Sequence, residues 1–157
     1  MDDTQTVSQR LAALGLDIPT PATPVANYLP FMQSGNLISI SGQLPMGPDG
    51  LAHVGSVGGA ISLEEAQKAA RLCALNIIAQ LKAALDGDLE RVRQVVKLGG
   101  FVNCSDTFTD QPEVINGASD LMVDVFGEKG RHSRSAVGVN ALPRGAPVEV
   151  DALVAVI

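Results

Sequence analysis

The chain has 157 residues, 46% hydrophobic and 18% charged, which fits one globular domain with a real core and excludes a disordered chain. Its net charge is −6 at pH 7, with one Tyr, four Phe and no Trp. That argues against nucleic-acid binding, which needs basic patches and stacking aromatics, although Lys129, Arg131 and Arg134 lie close together in sequence.

Two cysteines, Cys73 and Cys104, read as free thiols in a reducing compartment. The opening MDDTQTVSQR lacks the basic and apolar regions of a secretory signal, and no apolar run approaches membrane-spanning length. A soluble cytoplasmic protein without a membrane partner is the expectation.

Val7, Leu11 and Leu14 fall at helical spacing between Thr4 and Leu14, with Gly15 as the stop. Ile18 to Pro24 holds three prolines and reads as a connector. Asn27 to Gln33 and Asn36 to Ser41 read as two strands of a hairpin around Ser34-Gly35. Gly42 to Gly59 carries six glycines and two prolines, so it is mostly loop. Its Gly55-Ser56-Val57-Gly58-Gly59 run precedes a helix, but no Lys-Ser/Thr follows, so a plain loop outweighs a phosphate cradle.

Ser62 and Glu65 form a capping box for a helix running to about Asp86, with Gly87 beyond it. Its stripe of Ala66, Ala70, Cys73, Ile77, Leu81 and Ala84, widened by Leu72, Leu75 and Ile78, marks a buried helix. Val92 to Asn103 reads as a strand, with Gly99-Gly100 signalling a bulge or a close backbone approach. Asp110 to Glu113 reads as a second capping box, opening a helix with the apolar stripe Val114, Ala118, Leu121, Met122, Val125 and Phe126. Gly127 and Gly130 end it.

Two apolar runs close the chain, joined by Leu142-Pro143-Arg144-Gly145, and by themselves they read as a hairpin. Alternation puts Arg134, Ala136, Gly138 and Asn140 on one face of the first run. In the second, Val148, Val150, Ala152, Val154 and Val156 form an apolar face, with Glu149 and Asp151 opposite. A guanidinium fork binds carboxylates, and a carboxylate nearby can polarise water, so Arg134 and Glu149 are the candidate centre. One sheet with helices on one face is the economical α+β architecture. Its other face carries apolar and small residues and predicts self-association. His53 and His132 have no carboxylate or Cys at ligand spacing, so no metal site is expected. Cys73 reads as core and Cys104 as structural.

Several pieces, taken together, carry a family resemblance. They are Asn27-Tyr28-Leu29-Pro30, Ser34-Gly35-Asn36-Leu37 running into Ser41-Gly42-Gln43-Leu44-Pro45, Val114-Ile115-Asn116-Gly117, Arg134-Ser135 with Val137, and Leu142-Pro143 followed by Val148 to Ala152. In this order and spacing the chain resembles the RidA (YjgF) family of reactive intermediate deaminases, whose older labels are endoribonuclease and translation inhibitor. It is most similar to a longer-chain branch, over nearly everything after Asn27.

The resemblance implies a fold similar to chorismate mutase of the Bacillus type: a mixed sheet, two main helices on one face, and a homotrimer with clefts between subunits. The N-terminal helix would be an addition, all within a single domain spanning 1–157. Another strand would lie between the last two, so that Arg134 and Glu149 meet through the assembly. The implied activity is cofactor-free hydrolysis of small enamine or imine carboxylates such as 2-aminoacrylate, giving 2-keto acid and ammonia. Arg134 would clamp the substrate carboxylate and Glu149 would position the attacking water. Tyr28 and Asn116 would line the pocket, and the backbone at Ser41-Gly42 would add contacts. Deaminating members commonly carry Cys two residues after the arginine, where this chain has Ala136. A trimeric binder of small keto or amino acids that has lost turnover is the alternative. RNA cleavage is disfavoured by the charge and the scarce aromatics.

Overall fold

A computed structural model describes residues 4–21, 23 and 26–157. The connector expected over 18–24 therefore falls partly outside the described residues. Helix α1 (Val7–Ala13) is capped by Thr6, whose hydroxyl accepts from Gln9 N while the Gln9 side chain accepts from Thr6 N. Gly15, at φ 62°, follows the C-cap in the left-handed conformation that stops helices. Glu90 accepts from the Val7 and Ser8 amides at 3.2 and 3.1 Å, which satisfies two free N–H groups of the first turn.

The first hairpin forms with a later start than the sequence predicts. Strand β1 spans Phe31–Ser34 and β2 spans Leu37–Gln43, with Gly35 at positive φ in the turn. Asn27 and Tyr28 lie in a bend before β1, where Pro30 removes a ladder donor. Two two-residue strands, β3 (Met46–Gly47) and β4 (Gly50–Leu51), pair inside the glycine-rich loop.

Helix α2 (Leu63–Ala84) has the expected capping box: Ser62 Oγ accepts from Glu65 N, and Glu65 accepts from Ser62 N at 2.8 Å. Helix α3 (Gln111–Phe126) lacks the one expected at its start. Asp110 sits at φ −94°, ψ 33°, outside the extended region an N-cap needs, and its side chain caps nothing. Gln111 turns back instead, donating to Phe108 O at 2.9 Å. The predicted apolar stripe of α3 is buried throughout, with Ile115 added.

Strand β5 (Val92–Asn103) occupies the predicted range, and β6 (Ser133–Val139) and β7 (Val148–Val156) follow. The sheet order is β1-β2-β7-β5-β6, antiparallel except for the parallel pair β5/β6. The hairpin that the last two runs suggest by themselves is thus not made, because β5 lies between them. The crossover a parallel pair requires is α3. Gly99 and Gly100 mark close approach and not a bulge: a Cβ there would overlap the Asp151 carboxylate or Ile115. The register shifts lie earlier, between Val92 and Gln94 and between Val95 and Lys97.

The core fills the space between the helices and one sheet face. Val148, Val150, Ala152, Val154 and Val156 point into it with Ile38, Ile40, Val95, Leu98 and Val102. On the other face, Met32, Leu37 and Val137 are 58%, 39% and 46% exposed. Among the described residues no helix is long and apolar enough to cross a membrane.

Helices α2 and α3 touch backbone to backbone at Gly117, where a Cβ would overlap the carbonyl of Gln67. The Gly117→Ala variant therefore has to part the helices. We expect a loss of about 1–3 kcal/mol in a urea unfolding titration, the usual range for overpacking a tight core.

Candidate functional site

Strand β6 is a sheet edge, and Arg134 pairs with Leu98, so its side chain lies on the helix-covered face and reaches across to α3. There Pro112, Asn116 and Ser119 form one stripe at helical spacing. Arg134 Nη1 donates to Asn116 Oδ1 at 2.8 Å and to Ser119 Oγ at 3.0 Å, and Nη2 donates to the Pro112 carbonyl at 3.3 Å. All three acceptors are neutral. Among the described residues no carboxylate lies within 4 Å of this guanidinium. A guanidinium has five donors, so Nε–H and one N–H of Nη2 remain for something else. Ala136 and Gly138 follow on the same face, as alternation predicts.

A second layer holds this arrangement. His132 Nδ1 lies 2.6 Å from Gly130 O, and its Nε2 lies 2.9 Å from Ser119 Oγ. A carbonyl only accepts, so Nδ1 carries the proton and Nε2 accepts from the Ser119 hydroxyl. Ser119 thus donates to His132 while accepting from Arg134. Burial lowers the His132 pKa, and the charge of Arg134 adds to this against the opposing bond to Gly130. Arg134, His132, Ser119, Asp120, Val123 and Arg131 line an open cleft of about 300 Å³. Arg131 is itself paired with Glu128.

Glu149 occupies the opposite face. It pairs with Phe101 on β5, and its carboxylate rests on Gly42, where any Cβ would overlap it. Asp151 follows on the same face, against Gly99. Glu149 is half-buried, and among the described residues no donor reaches its carboxylate. Its pKa is raised, by burial first and by the Asp151 charge second. Ser41 donates from Oγ to Leu29 O at 2.7 Å and from N to Pro30 O at 2.9 Å, which pins the segment carrying Tyr28. Tyr28 itself is 54% exposed.

The sequence-predicted residues therefore form two groups. Arg134 and Asn116 are bonded on the helix side. Glu149, Gly42 and Asp151 are together on the open face, with Ser41 next to Gly42 in β2 and Tyr28 in the bend before β1. Within one chain the sheet separates the arginine from the glutamate. Sequence reasoning passed over Ser119, and from the sequence His132 reads as a surface histidine ahead of one at the pocket rim beside Arg134. The signal for Ser119 was its spacing of three from Asn116; the signal for His132 was its position two residues before Arg134. Cys104 accepts weakly from Gln111 Nε2 at 3.6 Å, and Cys73 is buried in the core.

The chain belongs to the YjgF (RidA) family: the family model described as "YjgF/chorismate_mutase-like, putative endoribonuclease" matches residues 8–154. It is 52% identical to Protein TCP17 of Trypanosoma cruzi over 149 residues, covering 94% of this chain and 92% of that one. The crystal structure of Atu1372 from Agrobacterium tumefaciens superposes with a TM-score of 0.90 at 50% identity, covering 96% of this chain and 92% of that one. A 2-iminobutanoate/2-iminopropanoate deaminase of Dermatophagoides farinae is 28% identical over 141 residues, 90% of this chain and 94% of that one.

The two shifted groups give pH dependences of opposite sign. A native His132 pKa below 6.5 means the unfolded chain takes up the proton first, so stability falls as pH drops below about 6.5. His132→Gln removes that part of the loss, and urea midpoints at pH 7.5 and 5.5 should differ less in the variant. A native Glu149 pKa above 4.5 means the folded chain holds the proton more tightly, so its charge opposes folding at neutral pH. Glu149→Gln should raise Tm at pH 7.5, with the gain shrinking toward pH 4.5.

Proposed function

We propose that this chain is a cofactor-free hydrolytic deaminase of small enamine and imine carboxylates of the 2-aminoacrylate type, releasing a 2-keto acid and ammonia. It acts as a homotrimer, in the cytoplasm, at clefts where Arg134 of one subunit meets Glu149 of the next. The observation that carries this reading is the Arg134 guanidinium: fixed by three neutral oxygens, unpaired with any carboxylate among the described residues, and left with two donors for an incoming acid group. The imine deaminase relative and the exposed apolar sheet face are consistent with it.

The chemistry follows from the groups. Protonation of the enamine carbon by solvent, with loss of one N–H proton, gives the imine, whose carboxylate is held by Arg134. Water adds through oxygen to the C=N carbon, and Glu149 takes the proton it sheds. The same proton goes to nitrogen, giving a carbinolamine; its hydroxyl proton then passes through Glu149 to the nitrogen, the C–N bond breaks, and ammonia leaves as the C=O forms. A carboxylate with a raised pKa suits this exchange, because it is a stronger base than an ordinary carboxylate. Asn116 keeps the guanidinium in place, and the Tyr28 segment and the Ser41-Gly42 backbone border the substrate.

Ala136, at the place where deaminating relatives commonly have Cys, favours a second reading: a binder of small keto or amino acids without turnover. One experiment separates them. 2-Aminoacrylate generated in situ from L-serine by a dehydratase should decay faster with the protein, and the mass in solution should be about three times the 16.3 kDa of one chain. Arg134→Ala and Glu149→Gln should each lower kcat/KM by about 100-fold or more. Absence of acceleration at stoichiometric protein would sink the deaminase reading, and carboxylate binding that still depends on Arg134 would then support the binder.

A further inference from the structure

On the helix side of the sheet lies a cavity of about 500 Å³ that the proposed chemistry does not use. Its walls come from three places. Pro19 and Pro21 of the N-terminal connector close one side, Met46 and Pro48 of the β3–β4 turn another, and Leu72 and Leu75 of α2 the floor. Gln80 also lines it, one turn beyond Asn76 on α2. The cavity does not open onto Glu149: lining residue Gln43 pairs with Val150, on the buried face, while Glu149 rests on Gly42 on the other.

Gln80 is the observation that turns this space into a site. The residue is 2% exposed, yet among the described residues its side-chain amide has no hydrogen-bond partner. No polar side-chain atom in the described structure is both fully enclosed and unbonded, so the little surface that Gln80 retains is on its amide, and the amide faces the cavity. A buried amide without a partner costs stability, and such groups are rare in cores. The neighbouring Asn76 is, by contrast, fully engaged on its donor side, giving both Nδ2 protons to Leu44 O and Met46 O at 3.1 and 3.0 Å. Those two bonds fasten the β3 wall to α2.

We propose that this cavity binds an uncharged, mainly aliphatic small molecule bearing one group that both donates and accepts, a primary amide or alcohol, paired with the Gln80 amide. The lining holds no cation, and Asp17 at the mouth repels anions, so carboxylates and phosphates have no counter-charge. It holds no aromatic ring, so planar stacking ligands gain nothing special. The volume is within the range of small-molecule sites, and a mainly apolar wall with a few polar groups is typical of them. This site is independent of the deaminase reading.

The test uses hexanamide, with hexanoate as its charged isostere, followed by backbone amide shifts of the labelled full chain around Leu72, Asn76 and Gln80. Hexanamide should bind saturably, and hexanoate at least tenfold more weakly. Gln80→Leu keeps the size and removes the anchor; it should weaken hexanamide at least tenfold while leaving Tm at or above wild type. Leu75→Trp, which fills the space, should abolish binding with the fold intact. The proposal is overturned if hexanamide gives no saturable shift, if hexanoate binds as well, or if Gln80→Leu binds undiminished. A Gln80→Leu variant that melts well below wild type also overturns it, since the amide would then have a structural partner.

Discussion

The alternation of strand β7 is the constraint from which the rest follows. Its even-numbered residues, Val148 to Val156, must be buried under α2, so Glu149 and Asp151 are committed to the opposite face. That single parity choice sets both the core and the placement of the acids. A one-residue slip would exchange them, burying two carboxylates and exposing five apolar side chains. The close fits at Gly42 and Gly99 resist such a slip, because each glycine leaves room for one carboxylate and nothing else.

The two candidate groups solve opposite electrostatic problems. Among the described residues, Arg134 is a permanent charge held only by neutral dipoles, so its field is directed outward without being cancelled. Glu149 is a carboxylate placed where ionisation is disfavoured, half out of water and near another acid. Each is less comfortable alone than with a complementary partner. The sheet between them means that, within one chain, neither supplies the other's complement.

Much of this was legible in the residues. The capping box at Ser62, the stripes of α2 and α3 and the alternation of β7 depend on local spacing, and local spacing is what a sequence displays. The failures are equally physical. Asp110 has the right spacing for a capping box, but the backbone entering α3 denies it the required conformation. The pairing of β6 with β5, and not with β7, is a non-local choice invisible to periodicity; only the likeness to a known fold anticipated it. The Ser119–His132 link joins a helix to a loop thirteen residues on, and the cavity at Gln80 needs three separate segments to exist at all. Of the site itself, Arg134 with Asn116 and Glu149 with Gly42 were visible as residues, while their separation by the sheet was not.

The strand order has a consequence for how the chain acquires its shape. Strand β7 comes last among the sheet's elements in sequence, yet it sits between β2 and β5. During synthesis, the β1–β2 hairpin and the β5–α3–β6 unit have no ladder joining them until residues 148–156 leave the ribosome. The ladder partners of Ile38 and Ile40 are made more than a hundred residues later. Late closure of this kind favours slow folding, and it exposes the nascent hairpin to capture by chaperones or by sister chains.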